Sequence, residues 1–340
     1  MGCEKGSDYL FSALPAGPRN LITDVPGVRV GHVTFRDGDV NTGVTALLPH
    51  GGNIFKEKLA AACTVINGFG KTTGLMQITE LGTLETPIVL TNTLSVGTAY
   101  TALVRYTLAN NADVGVETGT VNPVVCECND GELNDIRSMV VREEDVLAAI
   151  GQANEDFAEG VAGAGTGMVC YGFKGGIGSA SRMVEIEGQQ YCVGCLVLTN
   201  HGQPGNLRIK GQLVSPGGGP ADDKGSVIVL LATDAPLDSR QLGRACRRAG
   251  AGLGRGGSVI GNGSGEVVIG FSTASRIPHY PAEAVQALPT LHEDYMDAVF
   301  RGVVEAVEDA VLSSMLHAEA VTGVRGNSVK TLRDVLSGRE

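Results

Sequence analysis

The chain has 340 residues, of which 43% are apolar and 19% are charged. This balance is typical of a globular protein with a sizeable core and excludes a disordered tail. The net charge of −11 argues against a general nucleic-acid binder, which needs a basic face to neutralise phosphates. The longest apolar runs are too short to cross a bilayer, and the charged first eight residues do not resemble a signal peptide. We therefore expect a cytoplasmic protein with no membrane partner.

The eight cysteines are too sparse for a disulfide scaffold and agree with a reducing compartment. Cys192 and Cys195 have the spacing of a zinc half-site or a redox pair. However, their surroundings predict a buried strand, in which residues three apart point to opposite faces and share a metal poorly. We therefore predict that both are small buried hydrophobic residues.

The first third of the chain predicts short strands and turns. A turn at Pro26 and Gly27 precedes a valine-rich strand. Further strands are predicted at residues 43–49, 61–67 and 86–91. The helical spacing of apolar residues predicts a helix at residues 96–108.

Helices and strands come in groups through the rest of the chain. Helices are predicted at residues 143–160, 237–253 and 294–316, and strands at residues 190–200, 226–233 and 267–272. Residues 201–225 show no periodicity, and their Gly- and Pro-rich second half predicts an exposed, flexible loop. Because the elements do not alternate strictly, the pattern favours an α+β layered architecture over a doubly wound parallel sheet.

The 49 glycines first suggest a phosphate site. Gly70, Lys71 and Thr72 resemble the end of a P-loop, but Val65 stands where that motif requires glycine. The glycines of residues 163–167 follow a predicted helix, whereas a dinucleotide-binding fingerprint follows a strand. We therefore expect no nucleotide cofactor.

Metal and Ser-His-Asp chemistry fit the sequence no better. The six histidines form no close pair of metal ligands. Ser264 is flanked by glycines, but Asn262 stands where a nucleophile elbow requires glycine, and a predicted strand follows where a helix is needed. We expect no metal.

The junction of Gly225 and Ser226 is different, because a loop ends there in glycine and a serine opens a fully apolar strand. If that bond were cut, Ser226 would carry a free α-amine with a reference pKa of about 7.7–8, which can accept the hydroxyl proton without a histidine. Self-cleavage by attack on the preceding carbonyl also needs a backbone conformation that glycine tolerates. The alternative is an ordinary loop that enters a core strand.

Several stretches resemble the self-processing aminopeptidases of the DmpA type, the L-aminopeptidase/D-amidase-esterases and β-peptidyl aminopeptidases. Residues 226–237 are similar to the start of the small subunit in that family. The other similar stretches lie at residues 24–31, 67–68, 74–75, 84–97, 163–167, 174–178, 262–266 and 271–273. Several long motifs in the right order, spread over residues 20–328, make the resemblance specific.

The resemblance implies a fold and an assembly. The implied fold is a four-layer αββα sandwich that resembles the N-terminal-nucleophile hydrolases with different connectivity. The single domain, residues 1–340, would be cut into a large fragment, residues 1–225, and a small fragment, residues 226–340. Members assemble as tetramers of processed heterodimers, and no metal or organic cofactor is implied.

The resemblance also implies roles for individual residues. Ser226 matches the nucleophile, and Ser264 and Glu266 match the serine and acid that orient and charge-balance its hydroxyl and amine. Asn200 matches the asparagine whose side-chain amide stabilises the oxyanion. Without the resemblance, Ser264 and Glu266 would be ordinary polar residues of a turn, and Asn200 would cap a strand end.

Two positions depart from the family pattern. Glu132 stands where an aromatic residue often lines the substrate site, and its carboxylate either attracts the amine of a substrate or is only solvated. Lys71 stands where many relatives carry an acid. Both changes leave the predicted catalytic residues intact, and they leave the substrate specificity undetermined.

We therefore predict a self-processing aminopeptidase that releases N-terminal residues from short peptides, amides or esters. One alternative is an acyltransferase with the fold of the ornithine acetyltransferases, although those enzymes carry threonine at the position of Ser226. The other is an unprocessed, non-catalytic binding relative, which would leave the bond between Gly225 and Ser226 intact.

Overall fold

A computed structural model describes residues 9–217 and 225–338. The strands are β1 (Arg29–Asp37), β2 (Val40–Leu48), β3 (Glu57–Gly68), β4 (Thr83–Leu84), β5 (Ile88–Asn92), β6 (Val124–Cys128), β7 (Val169–Cys170), β8 (Phe173–Lys174), β9 (Gly176–Ile186), β10 (Gln189–Asn200), β11 (Arg208–Ile209), β12 (Gln212–Leu213), β13 (Ser226–Thr233) and β14 (Gly265–Pro278). The helices are α1 (Leu75–Leu81), α2 (Val96–Asn110), α3 (Glu143–Gly151), α4 (Ser239–Arg255), α5 (Met296–Leu316) and α6 (Leu332–Leu336).

The smaller of the two main sheets has the strand order β1-β2-β5-β6. Its pairs are antiparallel except for β5 and β6, which run parallel. Helices α2 and α3 pack on its outer face and bury one apolar core. The buried side chains of this core include Val44, Val89, Val125, Ala99, Leu103 and Val146.

The larger sheet has the order β4-β3-β14-β13-β10-β9, and only β13 and β14 run parallel. Helices α4 and α5 cover its outer face with a second apolar core. Gly178 lets β9 and α5 approach closely, because a Cβ on it would lie 2.0 Å from the carbonyl oxygen of Ala310.

The inner faces of the two sheets bury a third core. The side chains of β13 alternate: Ile228 and Leu230 point into this inter-sheet core, whereas Val227 and Val229 point towards α4 and α5. Three cores between four layers confirm the predicted four-layer αββα sandwich.

Two predicted elements differ from the structure. Helix α3 ends at Gly151 instead of residue 160, because Asn154 exchanges backbone hydrogen bonds of 2.9 and 3.0 Å with Val30 on β1. The predicted loop at 201–225 contains the hairpin β11–β12, while its residues 218–224 lie outside the described residues.

The prediction for the cysteine pair is confirmed. Cys192 packs in the inter-sheet core and Cys195 in the core beneath α4 and α5, so the two thiols lie on opposite faces of β10. Burial raises the pKa of both thiols. The seven cysteines that the structure describes are all free thiols.

Candidate active site

Four strands have their termini side by side at one end of the larger sheet. Strands β3 and β10 end there, and strands β13 and β14 begin there. Ser226 is the register partner of Asn200 on β10 and of Gly265 on β14. Directly opposed residues of antiparallel strands share a face. That face is the inner one, because Leu198, two residues before Asn200, and Ile228, two residues after Ser226, lie in the inter-sheet core. Asn200 and Ser226 therefore lie at the edge of the space between the sheets.

The hydroxyl of Ser226 lies beside the peptide group that precedes it. Its Oγ donates a hydrogen bond of 2.8 Å to the carbonyl oxygen of Gly225. The backbone N–H of Gly265 donates to the same oxygen at 3.1 Å. A nucleophile is thus adjacent to the carbonyl, and a fixed backbone donor already contacts the oxygen that would become negative during attack.

The structure gives a steric reason for glycine at position 225. A Cβ there would lie 1.9 Å from the carbonyl oxygen of Asn200 and 2.7 Å from the Cα of His201. Glycine is required at this position for space.

Ser264 and Glu266 form a buried pair. The hydroxyl of Ser264 donates to Oε1 of Glu266, and both side chains are fully buried. The turn before them is fixed by Asn67 at the end of β3, whose amide donates to the carbonyl oxygens of Gly261 at 3.1 Å and Asn262 at 3.2 Å. The pair lies beside Ser226 because Gly265, between them, is the register partner of that serine.

The side-chain amide of Asn200 is held at both ends. Its Oδ1 accepts a hydrogen bond of 3.0 Å from the N–H of Val169, and its Nδ2 donates at 3.0 Å to the carbonyl oxygen of Asn129. An amide nitrogen carries two hydrogens, so one remains for another acceptor. The structure thus brings together the four residues predicted from the resemblance: Ser226, Asn200, Ser264 and Glu266.

A fully buried lysine lies behind Asn200. Nζ of Lys174 donates to the carbonyl oxygens of Gly165 at 3.0 Å, Met168 at 2.7 Å and Gly175 at 2.8 Å. Burial lowers the pKa of Lys174 to about 7, and the nearby carboxylate of Asp130 opposes that shift. In the sequence, residues 174–178 form one of the family motifs, and no role for Lys174 follows from it.

Sequence reasoning also missed two buried carboxyl groups near the site. Burial raises the pKa of Asp130 to about 6, although its Oδ1 accepts a hydrogen bond of 2.9 Å from Asn134. Glu127 on β6 accepts from the backbone N–H of Lys71 at 2.8 Å and from the hydroxyl of Thr93. In the sequence both acids lie in or next to a polar turn, where nothing distinguishes a buried carboxyl group from a solvated one.

The two departures from the family pattern, Lys71 and Glu132, are both exposed. Nζ of Lys71 lies 5.1 Å from the centre of the Phe69 ring. Glu132 follows Asn129, the partner of Asn200, by three residues in the same loop. Glu132 therefore lies in the loop that contacts Asn200.

Within residues 9–217 and 225–338, no group of three or more His, Cys, Asp or Glu side chains is arranged to hold a metal ion. Among the helices of the same residues, none has the length and apolar character needed to cross a membrane.

Almost the whole chain matches one known protein family. Residues 20–329 match peptidase family S58. The beta-peptidyl aminopeptidase BapA of Sphingosinicella microcystinivorans is 37% identical over 95% of this chain and 87% of its own. BapA of Sphingosinicella xenopeptidilytica is also 37% identical, over 94% and 86% of the two chains.

Solved structures show the same similarity. The PH0078 protein of Pyrococcus horikoshii OT3 has a TM-score of 0.93 and 48% identity over 97% of this chain and 96% of its own. The L-aminopeptidase D-Ala-esterase/amidase of Ochrobactrum anthropi, described as a variant of the N-terminal-nucleophile hydrolase fold, has a TM-score of 0.90. It is 37% identical and covers 98% of both chains.

These findings confirm the prediction of a serine-type aminopeptidase over an acyltransferase or a non-catalytic relative. They also agree with the four-layer sandwich, since the relatives share its fold over nearly their full length. This chain belongs to peptidase family S58.

Proposed function

We propose that Ser226 is the N-terminal nucleophile of this aminopeptidase and that the chain first cleaves its own bond between Gly225 and Ser226. The observation that carries the proposal is the position of the Ser226 hydroxyl, 2.8 Å from the carbonyl oxygen of Gly225. Attack of Oγ on the carbonyl carbon produces an oxyanion that the N–H of Gly265 stabilises. The C–N bond then breaks and the amine takes up a proton. The resulting ester is hydrolysed by water, which leaves fragments 1–225 and 226–340.

In the mature enzyme, the freed amine of Ser226 takes the hydroxyl proton as Oγ attacks the carbonyl of a substrate. The free hydrogen on the amide of Asn200 donates to the oxyanion. The amine then protonates the leaving group, and water releases the acyl group from Oγ. Ser264 and Glu266 orient the hydroxyl of Ser226, and the carboxylate balances the charge that its ammonium carries during the reaction.

The substrates we propose are short peptides, amides and esters with a free N-terminal amine. Relatives are named as β-peptidyl aminopeptidases and as an L-aminopeptidase D-Ala-esterase/amidase, which supports this class. Glu132, exposed in the loop that contacts Asn200, is proposed to attract the cationic amine of the substrate.

We further propose a cytoplasmic location and a tetramer of processed heterodimers. The free thiols among the described cysteines agree with a reducing compartment. The tetramer rests on the family resemblance, and light scattering of the purified protein tests it.

The experiment compares wild type and Ser226→Ala on amino-acid p-nitroanilides with L-α, D-α and β residues, each with a free or an acetylated amine. Wild type is expected to release nitroaniline from at least one free-amine series and not from its acetylated partner. Ser226→Ala is expected to be inactive on all of them. Hydrolysis by Ser226→Ala at the wild-type rate would exclude Ser226 as the nucleophile.

A further inference from the structure

We infer that Lys174 is a positioning and polarising residue for the oxyanion donor Asn200, through the single peptide group that joins Met168 to Val169. The carbonyl oxygen of this peptide accepts from Nζ of Lys174 at 2.7 Å, and its N–H donates to Oδ1 of Asn200 at 3.0 Å. The inference rests on the proposed role of Asn200.

The hydrogen bonds form a series that runs in one direction, from Lys174 to Asn200. The ammonium withdraws electron density from the carbonyl of Met168, which makes the N–H of Val169 a stronger donor. That N–H in turn polarises the amide of Asn200, so its Nδ2 becomes a stronger donor to a developing negative charge. Hydrogen bonds in such a series strengthen one another in a low-dielectric interior.

The surroundings of Lys174 also favour a role for its charge. All three hydrogen-bond partners of Nζ are backbone carbonyls, and the nearby carboxylate of Asp130 offsets only part of the desolvation of the ammonium. The backbone around it is tightly packed, since a Cβ on Gly175 would lie 2.6 Å from the carbonyl oxygen of Thr199. An apolar side chain in the same space would avoid the free-energy cost of desolvating a charge. The positive charge of the protonated lysine, directed through one peptide to Asn200, gives this side chain a function.

Self-cleavage supplies an internal control. The N–H of Gly265 contacts the carbonyl oxygen of Gly225, and that donor is not part of the hydrogen-bond series from Lys174 to Asn200. Loss of the ammonium should therefore weaken the turnover of substrates and leave self-cleavage intact. A lysine that only stabilised the local fold would affect both reactions.

The first test is Lys174→Met, which keeps the length of the side chain and removes its charge. We expect normal cleavage into two fragments, a fall in kcat of about 10-fold or more, and a KM within about 2-fold of wild type. The matched control is Lys58→Met. Lys58 is a mostly buried lysine that pairs with Glu85 away from the site, and this variant should keep its kcat even if its Tm falls.

A double-mutant cycle then asks whether Lys174 acts through Asn200. Asn200→Ala alone is expected to lower kcat by about 100-fold or more. Adding Lys174→Met to it should lower kcat by less than about 2-fold, because the group that the lysine polarises is already gone. If the two losses multiply, or if Lys174→Met raises only KM, the inference is wrong. If Asn200→Ala keeps full activity, it is the proposed role of Asn200 that fails.

A second variant covers the case in which Lys174→Met does not fold. The α-hydroxy acid analogue of valine, placed at position 169, replaces one amide by an ester and so removes the N–H without changing a side chain. It should reproduce the loss in kcat with normal self-cleavage. Wild-type kcat in this ester variant would overturn the inference.

Discussion

Asn200 and Ser226 are direct register partners on adjacent antiparallel strands, with their side chains on the same face of the sheet. This pairing fixes the donor and the hydroxyl relative to each other through the backbone ladder. It also places the backbone of Gly225 against the carbonyl of Asn200. The strand pairing therefore decides both the geometry of the site and which residue can precede the nucleophile.

Gly225→Ala tests the steric requirement. The added Cβ would lie 1.9 Å from the carbonyl oxygen of Asn200, so β10 and β13 must separate at their ends. We expect a loss of about 2–3 kcal/mol in the free energy of unfolding, as for other overpacked sites, and little or no self-cleavage. Chemical denaturation and intact mass measure the two effects.

Gly254→Ala is the matched control, since a Cβ at this position of helix α4 meets no atom within 4 Å. It should increase stability by about 0.5–1 kcal/mol, because alanine is the better helix former. It should also cleave itself normally. If Gly225→Ala behaves like this control, the steric argument is wrong.

Glu266→Gln tests the buried acid beside Ser226. Glutamine preserves the size of the side chain and removes the charge that would balance the ammonium of Ser226. We expect kcat to fall by about 100-fold or more, in the range typical of lost acid–base or charge-balancing groups. Ser264→Ala should have the smaller effect, about 10-fold, since it removes only the hydroxyl that contacts Glu266. Equal activity of Glu266→Gln and wild type would remove Glu266 from the mechanism.

The sequence pattern predicts the central strands and an α+β architecture well, because the apolar runs are long and their boundaries are clear. Ser226 stands out for the same reason, as the first residue of a fully apolar strand after a loop. The four layers come from the family resemblance. The roles of Asn200, Ser264 and Glu266 come only from the family resemblance, since polar residues at strand ends and turns are common. Lys174 and Asp130 could not be found at all, because their burial depends on tertiary contacts between glycine-rich segments that carry no periodic pattern.

The pH dependence of stability tests the environment of Asp130. Burial raises its pKa from an ordinary value near 3.8 to about 6 in the folded state. The folded state therefore binds the proton more tightly, and this contribution is fully present below about pH 4 and is lost as pH rises through 6. The shift corresponds to about 3 kcal/mol. Relative to Asp130→Asn, which cannot titrate, wild type should lose about that amount between pH 4 and pH 7. Parallel stability curves for the two proteins would show that Asp130 has an ordinary pKa.

Glu132→Lys tests the proposed attraction of the substrate amine. Reversing the charge at position 132 should lower kcat/KM for free-amine substrates by about 3- to 10-fold, mainly through KM, and the effect should shrink at high salt. Glu283→Lys is the control, because Glu283 is also exposed and lies beyond the opposite end of β14. If both variants have the same kcat/KM, Glu132 is only a solvated surface residue.

Self-cleavage between Gly225 and Ser226 is tested most directly by the intact mass of the denatured protein, measured for wild type and for Ser226→Ala. We expect two wild-type species whose masses correspond to residues 1–225 and 226–340, and one uncut species for the variant. A wild-type chain that remains whole after long incubation at neutral pH, or a variant that is cut at the same bond, would contradict this prediction.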